Sequence, residues 1–126
     1  MLKIKTVLLL GMLTLLVAGC ASSLITNLTP SAMPRNASGQ YLVELKLDSS
    51  QQTLRPQSIK PQVLVGFDSF PMRQTLKLTN RWEALVPISA DKDVIIYHFK
   101  VDYEYNRFGE PGQGSRLSPE YKLSIK

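Results

Sequence analysis

Side chains able to act as nucleophiles, bases or metal ligands are scarce in this chain. It contains one cysteine, Cys20, and one histidine, His98. A hydrolytic site needs a base within hydrogen-bond reach of its nucleophile. His98 lies on the more polar side of an alternating segment, whereas Cys20 follows an apolar N-terminal run, so nothing in the sequence pairs them. We therefore predict that the protein is not an enzyme and has no cofactor.

Asp102 and Glu104 follow His98 in a segment that alternates like a β-strand. Residues two apart point to the same face of a strand. A glycosidase instead needs two carboxylates that face each other across a cleft, and a zinc site needs more ligands than one histidine supplies. We expect these carboxylates to pair with Lys100 or Arg107, and we predict no metal site.

The N-terminus has the order of a secretory signal. The cations Lys3 and Lys5 precede an uncharged, mostly apolar run from Thr6 to Gly19, and Cys20 follows. At about 1.5 Å per helical residue, this run covers roughly 20 Å of a ~30 Å hydrocarbon core. It is too short to span a membrane comfortably, which favours a cleaved signal.

The residues up to the cysteine, Leu16-Val17-Ala18-Gly19-Cys20, resemble the lipobox of bacterial lipoproteins. The resemblance implies cleavage between Gly19 and Cys20, a diacylglyceride in thioether linkage on Cys20 and a further acyl chain on the new N-terminus. Several chains on one residue hold a protein on a bilayer far more firmly than one chain does. The alternative is an ordinary signal peptide, or a buried thiol, with Cys20 unmodified. A lone cysteine in an exported protein has no internal disulfide partner, which favours the lipid.

The resemblance also implies a cellular location. Ala21 and Ser22 follow Cys20 at the point where lipoproteins retained in the inner membrane carry an aspartate. We therefore expect a protein that is lipid-anchored in the bacterial cell envelope, at the outer membrane. The implied division of the chain is a signal peptide (1–19), a lipidated tether (20–23) and a folded domain (24–126).

The charge of the mature chain is modest. Removing 19 of the 126 residues leaves 107, and the loss of Lys3 and Lys5 lowers the formal net charge from +5 to +3. The remaining cations are scattered along the chain without a run, which is typical of a solvated surface. We expect no nucleic-acid partner.

After the signal, apolar residues recur with a period of two, which predicts half-buried strands. Pro61 marks an edge position or a strand entry. Val94 and Ile96 make the second face of their strand apolar as well, so we expect its first half to be covered on both sides. The predicted turns are Phe70-Pro71, Asn80-Arg81 and Asp91-Lys92-Asp93, the last lacking the spacing of a calcium loop. The predicted strands are Leu24–Leu28, Tyr41–Asp48, a run through Ile59, Val63, Val65 and Phe67, a hairpin of Leu76 and Leu78 with Trp82–Ile88, Val94–Tyr105 and Tyr121–Ile125.

About seven short strands without an amphipathic helix predict an all-β, antiparallel two-sheet sandwich. The segments Leu28-Thr29-Pro30 and Gly39-Gln40-Tyr41, with the Trp82 hairpin leading into Tyr97–Tyr103, resemble an immunoglobulin-like or early-set domain. The cysteine pair of antibody domains is missing, so packing must hold the sheets together. We expect the core to centre on Trp82, Phe67, Phe99 and Tyr97.

The segment from Asn106 to Leu117 contains three of the seven glycines and is longer than a hairpin requires. Loops of this kind often carry the binding residues of a rigid scaffold. If the long strand projects with the loop, Tyr103, Tyr105, Arg107 and Phe108 form an exposed aromatic and cationic binding patch. In the alternative interpretation, the aromatic residues cap the core and the glycines permit a flexible tip.

Taken together, these features predict a lipid-anchored, non-enzymatic envelope protein that serves as a structural or accessory binding subunit. Tyrosine and arginine offer rigid contact area with polar ends, which suits a protein partner or stacking on sugar rings. The first expectation is an envelope protein partner. The alternative is a carbohydrate-binding module that docks on peptidoglycan or polysaccharide.

Overall fold

The computed structural model describes residues 23–126. The predicted signal peptide, its cleavage between Gly19 and Cys20, and most of the tether lie outside these residues. The described residues form ten strands and a 3₁₀ helix, Pro56–Ser58. The strands are β1 (Ser23–Asn27), β2 (Ala32–Met33), β3 (Gln40–Ser49), β4 (Lys60–Val65), β5 (Asp68–Pro71), β6 (Arg73–Gln74), β7 (Arg81–Pro87), β8 (Val94–Tyr105), β9 (Gly112–Leu117) and β10 (Tyr121–Ile125).

The strands form two sheets. The smaller has the order β1-β3-β7-β6, and the larger has the order β2-β10-β8-β4-β5, with β9 also paired to β8. All pairs are antiparallel except β2 with β10, which is parallel. An immunoglobulin-like sandwich has strands A-B-E-D in one sheet and G-F-C-C′ in the other. Apart from the additional strands β2 and β9, the order here is the same, so the predicted all-β, immunoglobulin-like sandwich is confirmed, with ten strands instead of about seven.

The strands with the clearest alternation are those that the sequence predicts well. The inward residues of β3 are buried, as are Ile95, Tyr97, Phe99 and Val101 of β8. β8 has the predicted bounds, and β10 covers the predicted Tyr121–Ile125. Each of these strands buries one row of side chains, which fixes its register.

The core centres on three aromatic rings. Tyr97 and Phe99 pack edge to face with ring centroids 5.7 Å apart, and Tyr121 lies 5.7 Å from Tyr97 and 5.8 Å from Phe99. The Tyr97 hydroxyl accepts a hydrogen bond of 2.8 Å from Asn27 Nδ2, which links β8 to β1 in the other sheet. Trp82 is only half-buried and packs at the margin of the core.

The prediction that Phe67 lies in the core is wrong, because the side chain is fully exposed. Val65 pairs with Asp68, so Gly66 and Phe67 form a two-residue hairpin loop between β4 and β5. Gly66 has a φ of 58°, at the position where a type II′ hairpin turn places glycine. The alternation therefore ends at Val65, and Phe67 occupies the tip.

Two further predictions in this region are wrong. Phe70 and Pro71 end β5 instead of starting a turn. Leu76 and Leu78 are exposed and belong to no strand. The backbone N–H of Leu78 donates to the carbonyl of Thr75 (3.1 Å), so these residues form a turn, and the hairpin partner of β7 is the shorter β6.

Candidate functional site

The predicted patch begins with two tyrosines that lie across glycines. In the β8–β9 pair, Tyr103 stands opposite Gly114 and Tyr105 opposite Gly112. A Cβ atom built on either glycine would overlap the facing tyrosine ring. Both rings are half-buried, and Gly112 is buried. The predicted loop Asn106–Leu117 is therefore half strand, because the glycines leave room for two rings along β9.

The other half of the patch lies in the loop 106–111, beyond the end of β8. Phe108 is fully exposed at its tip. The Arg107 Nε donates a hydrogen bond of 2.8 Å to the Glu110 carbonyl, so the guanidinium is held by backbone. The four predicted residues share one end of the molecule, but the tyrosines cover β9 while Arg107 and Phe108 project past it.

A polar groove lies beside the tyrosines, where the ends of β4, β8 and β9 meet the 3₁₀ helix. It has a volume of about 840 Å³. The side chains that supply its polar groups are Arg55, Gln57, Ser58, Lys60, Asp102, Glu104, Gln113 and Ser115. Sequence reasoning missed this site because its residues come from three segments that only the strand pairing brings together.

The carboxylates of the groove already have intramolecular partners. Asp102 accepts a hydrogen bond from Ser115 Oγ (2.8 Å) and lies 3.8 Å from Lys100 Nζ, as predicted. Glu104 pairs with Arg55 at 3.6 Å instead of with Arg107. The two carboxylates lie on the same face of β8, and each has a cation within 4 Å, so the groove presents carboxylates that are already paired within the chain.

Nowhere among residues 23–126 do three or more histidine, cysteine, aspartate or glutamate side chains cluster as metal ligands. His98 is half-buried opposite Leu64 of β4. Asp93, from the predicted turn, forms a 2.6 Å ion pair with Arg35.

The described part of the chain also has no helix long and apolar enough to cross a membrane.

The outer side of the larger sheet carries an apolar cluster that we call the Ile96 face, formed by Leu64, Val94 and Ile96. Val94 and Ile96 are exposed, Ile96 by 49%. The expectation that this half of β8 is covered on both sides is therefore wrong. Apolar residues on both faces of a strand do mark this site in the sequence. The same pattern results whether the second face is covered by another layer or left open to solvent.

No protein-family model matches the chain, and no curated protein matches it. Among solved structures, murine CRIg is similar to this chain, with a TM-score of 0.44 and 14% sequence identity. The alignment covers 82% of this chain and 98% of the CRIg chain. At this degree of similarity the fold is assigned from the order and pairing of the strands.

Proposed function

We propose that the protein is a lipid-anchored, non-enzymatic accessory subunit of a bacterial cell-envelope assembly, held at the outer membrane through Cys20. Support for the anchor is the sequence Leu16-Val17-Ala18-Gly19-Cys20 before a domain with no other cysteine. Support for a binding role is an immunoglobulin-like body in which strands hold exposed side chains rigidly. The observation that carries the binding role is the Ile96 face.

Val94 and Ile96 stand side by side on β8 at the end of the strand far from the loop 106–111. Leu64 is a diagonal neighbour of Ile96 across the β4–β8 pair, and Lys122 stands directly opposite Ile96 on β10. An exposed apolar cluster beside a charged side chain is found at protein interfaces. The partner that fits is a protein with an apolar patch and an acidic residue that faces Lys122.

Co-purification from the native host tests this binding role. The acylated protein is solubilised in detergent, and Ile96→Glu is compared with Leu85→Glu. Leu85 is a matched control because it is a strand residue of similar exposure (53%) on the smaller sheet. We expect a stoichiometric partner. Its affinity should fall by about tenfold or more in Ile96→Glu, as for a residue at the centre of an interface. Equal binding by both variants would contradict the role of this face.

A second candidate function, docking on cell-wall carbohydrate, is favoured by the polar groove. Amide, hydroxyl and charged groups in an open groove can hydrogen-bond sugar hydroxyls. Gln57 and Gln113 line the groove. If this function holds, isolated cell wall retains the protein, Gln57→Ala with Gln113→Ala abolishes retention, and Gln52→Ala outside the groove leaves it unchanged. Equal retention of all three proteins would argue against it.

A further inference from the structure

The start of β1 lies at the same end of the sandwich as the predicted patch. Ser23 begins β1 opposite Ser49, at the end of β3. In the other sheet, Tyr105 ends β8 opposite Leu54, which belongs to the loop after β3. The start of β1 and the loop 106–111 therefore lie at the same end of the molecule.

A second loop, 75–80, projects from this end. The N–H of Leu47, two residues before Ser49, donates to the Asn80 carbonyl (2.8 Å). Leu76 and Lys77 occupy the tip of the turn, and Leu76 is 87% exposed. Lys77 has a φ of 65°, the one non-glycine among residues 23–126 with a positive value. We call this region, formed by the start of β1 and residues 49–55, 75–80 and 106–111, the entry end.

The two projecting tips of the entry end share one composition. Leu76 is followed by Lys77, and Phe108 is preceded by Arg107, so each tip pairs an exposed apolar side chain with a cation. Within the described residues neither Lys77 nor Arg107 forms an ion pair. Glu110 is the acidic residue of the same loop. Apolar side chains beside cations are typical of segments that lie at a membrane interface.

The length of the tether brings the entry end to the bilayer. Only Ala21 and Ser22 separate Cys20 from Ser23. At 3.80 Å between consecutive Cα atoms, the Cα atoms of Cys20 and Ser23 lie at most about 11 Å apart. With acyl chains on Cys20 in the membrane, the start of β1 is within reach of the headgroups, and so are the loops beside it.

We propose that the entry end docks on the anionic lipid surface that holds the anchor. Leu76 and Phe108 enter the interface. Lys77 and Arg107 contact lipid phosphates, and the negative potential of an anionic lipid surface favours both cations. This proposal rests on the proposed lipid anchor at Cys20. Docking fixes the orientation of the body and holds the Ile96 face away from the membrane.

Phe67 provides a matched control for the test. Like Phe108, it is a fully exposed phenylalanine at a hairpin tip. It lies at the opposite end of the larger sheet, because β4 runs antiparallel to β8 and Leu64 stands opposite His98. A probe at position 67 therefore reports on a surface that the docked orientation keeps in water.

The experiment uses acylated protein in vesicles of phosphatidylcholine with phosphatidylglycerol. The variants Phe108→Cys, Leu76→Cys and Phe67→Cys are labelled with an environment-sensitive fluorophore, which thioether-linked Cys20 does not accept. A lipid-borne quencher is expected to quench the labels at positions 108 and 76, with a blue shift that Lys77→Glu with Arg107→Glu reduces. The label at position 67 is expected to stay unquenched. Equal quenching at positions 108 and 67 would overturn the proposal. It would also be overturned if the label at position 108 became shielded from water only when an envelope protein was added, and not by the vesicles.

The intact mass of the same preparation separates this proposal from the anchor. A chain without acyl groups refutes the anchor, and its own sedimentation with anionic vesicles then tests the entry end. Binding that Phe108→Ser with Leu76→Ser weakens, while Phe67→Ser does not, would support docking. Absence of binding, or equal loss in all variants, would overturn it.

Discussion

Tyr103 and Tyr105 have a structural role that their residue type does not reveal. Each ring lies on a glycine of the neighbouring strand, so the glycines of β9 serve aromatic packing as well as backbone freedom. An aromatic ring over a cross-strand glycine supplies the side-chain packing that glycine lacks. The groups at this end that remain open to a partner are therefore those of the groove and the projecting loop tips.

Replacing Gly114 tests this packing. Gly114→Ala places a methyl group in the space of the Tyr103 ring and is expected to lower the free energy of unfolding by about 2 kcal/mol. Tyr103→Ala combined with Gly114→Ala is expected to cost less than the sum of the single changes, because the methyl then has room. Urea denaturation measures both. Gln113→Ala, exposed on the same strand, is the control, and an unchanged midpoint for Gly114→Ala would contradict the packing.

Phe99 and Phe67 make a second comparison at the residue scale. Phe99 is completely buried in the aromatic core, whereas Phe67 is fully exposed. Phe99→Ala is expected to cost about 3–5 kcal/mol of stability, and Phe67→Ala less than about 0.5 kcal/mol. Thermal unfolding measures both values. Comparable losses would mean that Phe67 packs against the body.

At the scale of elements, alternation predicts strands well where one face is buried and the other is wet. β3, β8 and β10 meet this condition, and their predicted positions agree with the structure. The Leu76 and Leu78 pattern has the same form over too few residues to distinguish a strand from a turn. β9 contains two glycines and no apolar alternation, so only its pairing with β8 identifies it as a strand.

The groove shows the same limit for function. Asp102 and Glu104 are recognisable from sequence as carboxylates on one face of a strand. Arg55, which pairs with Glu104, lies 49 positions earlier, and its contact follows from the bridge between Leu54 and Tyr105. Contacts of this kind depend on loop conformation, which hydrophobic periodicity does not encode.

The turn Thr75–Leu78 provides a prediction at the scale of an element. Lys77 adopts a left-handed conformation that costs a non-glycine residue about 1 kcal/mol. Lys77→Gly relieves this strain, so we expect a stability equal to or above that of the parent protein. Thermal unfolding checks it, with Lys92→Gly as a control at another exposed lysine. A clear loss of stability in Lys77→Gly would mean that the lysine side chain holds the turn.

At the scale of the whole molecule, the sandwich has two different ends. The entry end carries the start of β1, the loops 75–80 and 106–111 and their cations. On β8, Ile96 lies nine residues before Tyr105, which places the Ile96 face about 30 Å from the end of that strand at 3.3 Å per residue. With the proposed anchor at Cys20, a body held at the first end would present the second to the aqueous compartment.

The most direct test of a lipid-anchored immunoglobulin-like subunit is the intact mass of the protein from its native host. We predict a chain that starts at Cys20 and carries the added mass of a diacylglyceride and a further acyl group. Retention of residues 1–19, or a Cys20 with a free thiol, would contradict the account.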